Sequence, residues 1–301
     1  MRRWWLRTAS LVPTWTFGFM LAAAELKAQQ AHLAITPAHP LPGAIVRLKI
    51  TDAGAASDTI VGVAGTMAGE PLHFVGKGGV WRAIGAVPVD SGGEVVAHVV
   101  ASRASGRTDT LSASVTPPPL PPPKEQLAVA RQFGQPMDAA TSARVEQESR
   151  RAIAVGRQSQ QERPKWSAPF RKPRTSEISS RFGSGRTFNG QVASRHLGVD
   201  FRGAVGAPIR AANSGTVALV DSFFLGGNVV YIDHGGGLTT GYLHLSKTLV
   251  DVGDKVERGQ IIGLVGATGR VTGPHLHWNA RYGAITVNPL DLLTLEPMDA
   301  H

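Results

Sequence analysis

Six of the seven residues from Pro117 to Pro123 are proline. Proline fixes φ and offers no N–H, so neither a helix nor a sheet ladder can run through this stretch. It is expected to form a stiff polyproline spacer, roughly 20 Å long at about 3.1 Å per residue. The chain of 301 residues must therefore fold on either side of it. Before it, short alternating apolar runs (44–50, 59–64, 80–87 and 94–101) are separated by glycine turns such as Gly78-Gly79 and Gly92-Gly93. That spacing predicts a small antiparallel sandwich over residues 29–116. Its histidines (His32, His39, His73 and His98) show no pairing and read as surface or edge residues.

After the prolines, residues 124–161 read as helix, divided near Gly134 and Pro136, and residues 163–174 as a basic, proline-broken connector. Residues 117–175 are thus expected to be a Pro-rich, basic, partly helical linker. From 176 to 301 strand-like runs return (208–212, 215–221, 228–233, 238–243, 260–265 and 275–282), punctuated by glycine and almost without helical periodicity. The expected fold class is all-β, with a C-terminal, mostly antiparallel β domain.

Composition narrows the chemistry. There is no cysteine, which excludes disulfides, thiolate metal sites, cysteine nucleophiles and lipidation at an N-terminal cysteine. Residues 1–28 have a basic start (Arg2, Arg3, Arg7), an uncharged run and small residues near Ala24 and Ala28, the pattern of a signal peptide. An exported protein, periplasmic or associated with the cell envelope, is expected. The formal net charge is +9, and residues 124–175 hold eleven basic against five acidic residues. Such a stretch suits an anionic envelope surface; nucleic acid is not an expected partner of an exported protein.

Five polar residues of the C-terminal part carry chemistry. His275 and His277 alternate with Leu276 and Trp278, so on a strand both rings share one face. His196 and Asp200 would stand about 13 Å apart on a straight strand, at about 3.3 Å per residue, so the chain must bend between them, with Gly198 the obvious place. His244 stands alone in Tyr242-Leu243-His244-Leu245. Three His and Asp donors with one open position suit a catalytic zinc site, and further imidazoles could then serve as base and transition-state donor. His234 and Lys255 read as turn residues. The segment Gly183-Ser184-Gly185-Arg186 lacks the ending of a phosphate loop.

The segments Arg195-His196-Leu197-Gly198-Val199-Asp200-Phe201, Tyr231-Ile232-Asp233-His234-Gly235, Tyr242-Leu243-His244-Leu245 and Gly269-Arg270-Val271-Thr272-Gly273-Pro274-His275-Leu276-His277-Trp278 together resemble zinc metallopeptidases of the lysostaphin and LytM type. That resemblance covers about residues 176–292. It implies an open zinc cleft and hydrolysis of peptide cross-links in bacterial peptidoglycan, in the stem or the bridge. It implies one zinc held by His196, Asp200 and His277, with His275 as general base and His244 assisting at the transition state. One departure is visible: some members carry a tyrosine just before the first ligand, and residues 189–194 here have none. The competing expectation is a non-catalytic or latent peptidoglycan-binding regulator of another cell-wall hydrolase.

Overall fold

The computed structural model describes residues 31–52 and 57–297; the expected signal peptide, 1–28, lies outside them. Eight strands precede the proline run: β1 (His32–Thr36), β2 (Ile45–Thr51), β3 (Ile60–Met67), β4 (Glu70–Pro71), β5 (Val75–Lys77), β6 (Val80–Ala86), β7 (Val95–Arg103) and β8 (Thr108–Val115). They make two four-stranded sheets, ordered β1-β2-β6-β5 and β4-β3-β7-β8. Alternation sorts their side chains. Every second residue of β7 (Val95, Ala97, Val99, Ala101) is buried and meets Val46, Leu48 and Ile50 of the other sheet in one apolar cluster.

The following segment differs from the helical expectation in its first half. It holds β9 (Glu125–Leu127), a 3₁₀ turn (Arg131–Phe133) and one helix, α1 (Ala139–Ser159). Gly134 and Pro136 prevent an earlier helix start, and the extended residues 125–127 find ladder partners further along the chain. Asp138 caps α1, its carboxylate accepting from the Thr141 N–H at 2.7 Å. Buried Ala152 and Val155 lie on one stripe of the helix and pack against Phe223, Val229 and Tyr231. The proline run is not a free-standing rod: the Pro121 carbonyl accepts from Arg195 at 2.8 Å. The connector is likewise tied down, since Trp166 and Phe170 are buried in the largest apolar cluster.

Twelve strands complete the fold: β10 (Ile178–Ser180), β11 (Gly185–Phe188), β12 (Val192–Arg195), β13 (Val199–Arg202), β14 (Pro208–Arg210), β15 (Gly215–Phe223), β16 (Gly227–Asp233), β17 (Leu238–Thr248), β18 (Lys255–Val256), β19 (Ile261–Val265), β20 (His275–Tyr282) and β21 (Ile285–Val287). Ten of them form one sheet whose main path is β10-β13-β20-β17-β16-β15-β18, with every pairing antiparallel. A three-stranded sheet, β12-β11-β9, lies beside it, and there β9 runs parallel to β11. The N-terminal sheets dock on the large core through Ile45, Ile84 and Ala86. The Tyr282 hydroxyl also donates to the Pro71 carbonyl at 2.6 Å. No helix among the described residues is long and apolar enough to cross a membrane.

His234 stands in the turn between β16 and β17, as expected, and is fully buried there. Its Nδ1 donates to the Ser214 carbonyl at 2.7 Å and its Nε2 meets Thr240 Oγ1 at 2.8 Å. Burial brings its pKa down to about 4. The unfolded chain binds that proton near the usual value of about 6.5, so the stability this neutral ring gives is complete above 6.5 and lost as pH falls towards 4. The expected loss between pH 7 and pH 5 is about 2 kcal/mol. Urea unfolding at both pH values should show it, and the His234→Gln protein should show a correspondingly smaller pH dependence.

Candidate metal centre

The register between β13 and β20 builds the site. Asp200 stands directly opposite His277, and Arg202 opposite His275, so Asp200 and His277 project from one face of the sheet. The alternate residues Val199, Phe201, Leu276 and Trp278 are fully buried on the other. β12 passes to β13 through a bend at His196–Gly198, which returns His196 Nε2 to 2.9 Å from Asp200 Oδ1. Glycine is needed in that bend: a Cβ on Gly198 would lie 2.5 Å from His277 Nε2 and 2.7 Å from the Trp278 carbonyl oxygen.

His196 Nε2, Asp200 Oδ1 and His277 Nδ1 form a triangle with sides of 2.9, 2.9 and 3.0 Å. Around a tetrahedral ion with bonds of about 2.0–2.1 Å, neighbouring donors stand about 3.3 Å apart, so the triangle fits such an ion with little adjustment. The ring orientations agree. His196 Nδ1 lies 2.8 Å from the Arg181 carbonyl. A carbonyl only accepts, so that nitrogen carries the proton and Nε2 of the neutral ring presents its lone pair to the triangle. The His196 lone pair, the carboxylate and His277 Nδ1 thus converge on one point, as a cation requires.

Two more histidines border the triangle, oriented in the same way. His275 Nδ1 donates to the Gly273 carbonyl at 2.8 Å, which leaves Nε2 free, 3.6 Å from Asp200 Oδ1. His244 Nδ1 donates to the Thr268 carbonyl at 2.8 Å, and its ring centroid lies 4.9 Å from that of His275. β17 changes partner at His244: Leu243 pairs with His277 of β20, whereas Leu245 pairs with Val265 of β19. The backbone there takes φ of 65°, left-handed for a side chain that rarely adopts it. The irregularity turns the ring out of the sheet towards the other histidines.

Burial pushes His277 down to about 4 and His244 well below the ordinary histidine value, the neighbouring imidazoles adding to the effect. Both rings are therefore neutral at pH 7. Burial works against ionisation of Asp200 as well, but the neighbouring His196 and His277 outweigh it and hold the carboxyl far below its usual range.

Sequence reasoning singled out these five residues and missed their support. Arg186 donates through Nη2 to Asp200 Oδ2 at 2.8 Å and through Nε to Glu125 Oε2 at 2.9 Å. Oδ2 is thus occupied and Oδ1 alone faces the triangle. Arg186 comes from β11, and Glu125 from β9 in the linker. The one local signal was an arginine within the strand Gly185–Phe188, on the same side as Phe188. The group lines an open cleft of about 860 Å³. Replacing Arg186 by Gln leaves a buried carboxylate oxygen without its cation, and the expected result is a roughly 10- to 100-fold weaker hold on Zn²⁺. Competition against a chromophoric chelator measures it.

Residues 194–289 match the model of Peptidase family M23. The peptidoglycan DD-endopeptidase ShyC of Vibrio cholerae is 44% identical over 114 residues, which are 37% of this chain and 26% of ShyC. The chain spans about a quarter or less of the length of the curated relatives it matches first. The catalytic domain of the prophage-encoded M23 protein EnpA from Enterococcus faecalis is 35% identical over 41% of this chain and 95% of its own, with a TM-score of 0.35. A solved Pseudomonas aeruginosa structure described as an M23 peptidase aligns over 84% of this chain and 95% of its own, with a TM-score of 0.61 and 28% identity. That likeness extends into the N-terminal sheets. The bend, the opposed strands and the histidine cluster therefore stand in a recognised frame: the chain belongs to peptidase family M23.

Proposed function

We propose that the protein is an exported zinc endopeptidase that hydrolyses peptide cross-links of bacterial peptidoglycan by metal-activated water. The observation that carries this reading is the triangle of His196, Asp200 and His277, with two oriented histidines at its edge and an open cleft in front. Family membership and the activity named for ShyC support the substrate class. Two imidazoles and one carboxylate leave a fourth position open, as a catalytic rather than a structural zinc site requires. Bound there, zinc supplies Lewis-acid polarisation of a substrate carbonyl and lowers the pKa of water towards about 7.

His275 is the general base. Its Nε2 is the nitrogen left free by the Gly273 carbonyl, and it faces the same point as the triangle. His244 assists at the transition state. In the resting cleft it is neutral, because burial disfavours its charged form. A negative charge growing on the attacked carbonyl raises its pKa, so that Nε2 takes up a proton from solvent in the open cleft and donates it in a hydrogen bond to that oxygen. The missing tyrosine before His196 leaves that task to His244. We assign the chemistry to residues 176–301, an accessory role to residues 29–116 and the linker role to residues 117–175. Glu125 supports the cleft from within that linker.

Purified residues 29–301 incubated with peptidoglycan sacculi should release cross-link fragments, identified by mass, and a chelator should stop the release. The His277→Ala protein should lose both metal and activity. The His275→Ala protein should keep its metal and lose roughly 10²- to 10⁴-fold in turnover. Near-normal turnover by the latter would refute the assignment of the base. No release from a zinc-loaded sample would refute the endopeptidase reading.

A further inference from the structure

Four arginines line the cleft: Arg186, Arg195, Arg202 and Arg270. Three are engaged. Arg186 holds Asp200 and Glu125. Arg195 donates to the carbonyls of Pro121 and Gly183 at 2.8 and 3.2 Å. Arg202 pairs with Glu177 at 3.0 Å. For the guanidinium of Arg270, no carboxylate or carbonyl among the described residues lies within hydrogen-bonding distance. Its Cζ instead sits 4.0 Å from the centroid of the buried Phe188 ring. Burial, with the nearby Arg186, lowers its pKa to about 10, so it stays cationic at neutral pH.

Its position is fixed and tied to the site. Arg270 lies on the loop from β19 to β20, and its backbone N–H bonds the Leu225 carbonyl at 2.9 Å. Gly269, at φ of 75°, is pressed onto the hairpin between β15 and β16, where a Cβ would lie 2.4 Å from the Gly227 nitrogen. Two residues earlier than Arg270, the Thr268 carbonyl orients the His244 ring. One loop therefore sets both a reacting imidazole and a cation stacked on an aromatic face, its N–H edges free. A half-buried guanidinium without an anion is unfavourable, and its planar fork suits a carboxylate bidentately. The cleft's own carboxylates, Glu125 and Asp200, are already taken by Arg186.

We infer that Arg270 receives a carboxylate of the peptide substrate, so that the cleft selects cross-links with a free carboxylate beside the scissile amide. This rests on the peptide-cleaving reading above and narrows it. In a stem peptide cross-linked through a diamino dicarboxylic acid, the amide nitrogen sits on a carbon that also bears a free carboxylate; an oligoglycine bridge, or a lysine joined through its side-chain amine, offers no such group. Arg270 is a specificity residue, and the His275 and His244 machinery works without it.

The test compares a cross-linked stem-peptide dimer with the same dimer amidated at that carboxylate, using the zinc-loaded wild-type, Arg270→Gln and Arg270→Lys proteins. Wild type is expected to favour the free carboxylate by roughly 10- to 100-fold in kcat/KM, mostly through KM. Arg270→Gln should lose that preference, its kcat/KM on the free-carboxylate dimer falling to that on the amidated one, and Arg270→Lys should recover part of it. Equal cutting of both dimers by wild type overturns the inference. So does an Arg270→Gln protein that loses activity on both alike. Equilibrium binding of the two dimers separates this inference from the reading beneath it. A wild type that cuts neither dimer, yet binds the free carboxylate selectively through Arg270, overturns the peptidase reading and supports the receptor. Equal binding without cutting overturns both.

Discussion

Asp200 is a carboxylate withdrawn from water, with 8% of its side chain exposed, and much of the surrounding architecture answers what such a group demands. A buried charge costs several kcal/mol unless its oxygens are matched in charge and hydrogen bonding. Oδ2 is matched by Arg186 of β11, and Oδ1 faces His196 before β13 and His277 on β20, at the point a cation would fill. These elements belong to different parts of the chain and to two sheets. The carboxylate therefore fixes the seam between the three-stranded sheet and the large one. It also explains why β9, from beyond the sheet's own sequence, is drawn in: Arg186 needs a second anion, and Glu125 supplies it.

Much of the site was legible because it follows local rules. The His275 and His277 alternation is a period-two pattern, and the strand keeps it, with Leu276 and Trp278 fully buried behind. The bend at Gly198 followed from the impossibility of joining His196 to Asp200 along a straight strand. The supporting groups follow no local rule. Glu125 and Arg186 meet only because residues 125–127 pair in parallel with β11, about sixty residues later in sequence, and parallel pairing leaves no hairpin signal. The same non-local pairing defeats the helical reading of residues 124–133. His234 is the turn residue that its glycines suggest, but its burial was not legible: those glycines make room for residues 160–164 to cover it.

The segment between the sheets is thus structural. Its Pro121 carbonyl holds Arg195 of β12, its first strand extends the small sheet, its helix covers β15 and β16, and Trp166 and Phe170 fill the main core. The basic, proline-broken composition suggested a connector, and most of its arginines are exposed; what the charge count concealed is the apolar and acidic minority that does the docking. Buried Glu148 accepts from the Phe224 N–H at 2.8 Å and so ties α1 to the end of β15.

The cleft owes its electrostatic character to the choice of orienting groups. Backbone carbonyls of Arg181, Gly273 and Thr268, not carboxylates, select which nitrogen of His196, His275 and His244 is free. A carbonyl fixes a tautomer without adding a formal charge, and it turns the other nitrogen of each ring towards the cleft. A carboxylate in the same place would pull each ring towards the imidazolium form and remove the lone pair that ligation or base catalysis uses. Only Asp200 brings a negative charge to the triangle, and Arg186 draws on its outer oxygen. With so little anionic charge inside, the cleft as a whole is left electron-poor. That is the condition under which a peptide carbonyl is most strongly polarised, and under which an anionic group on the same peptide is most welcome at its rim.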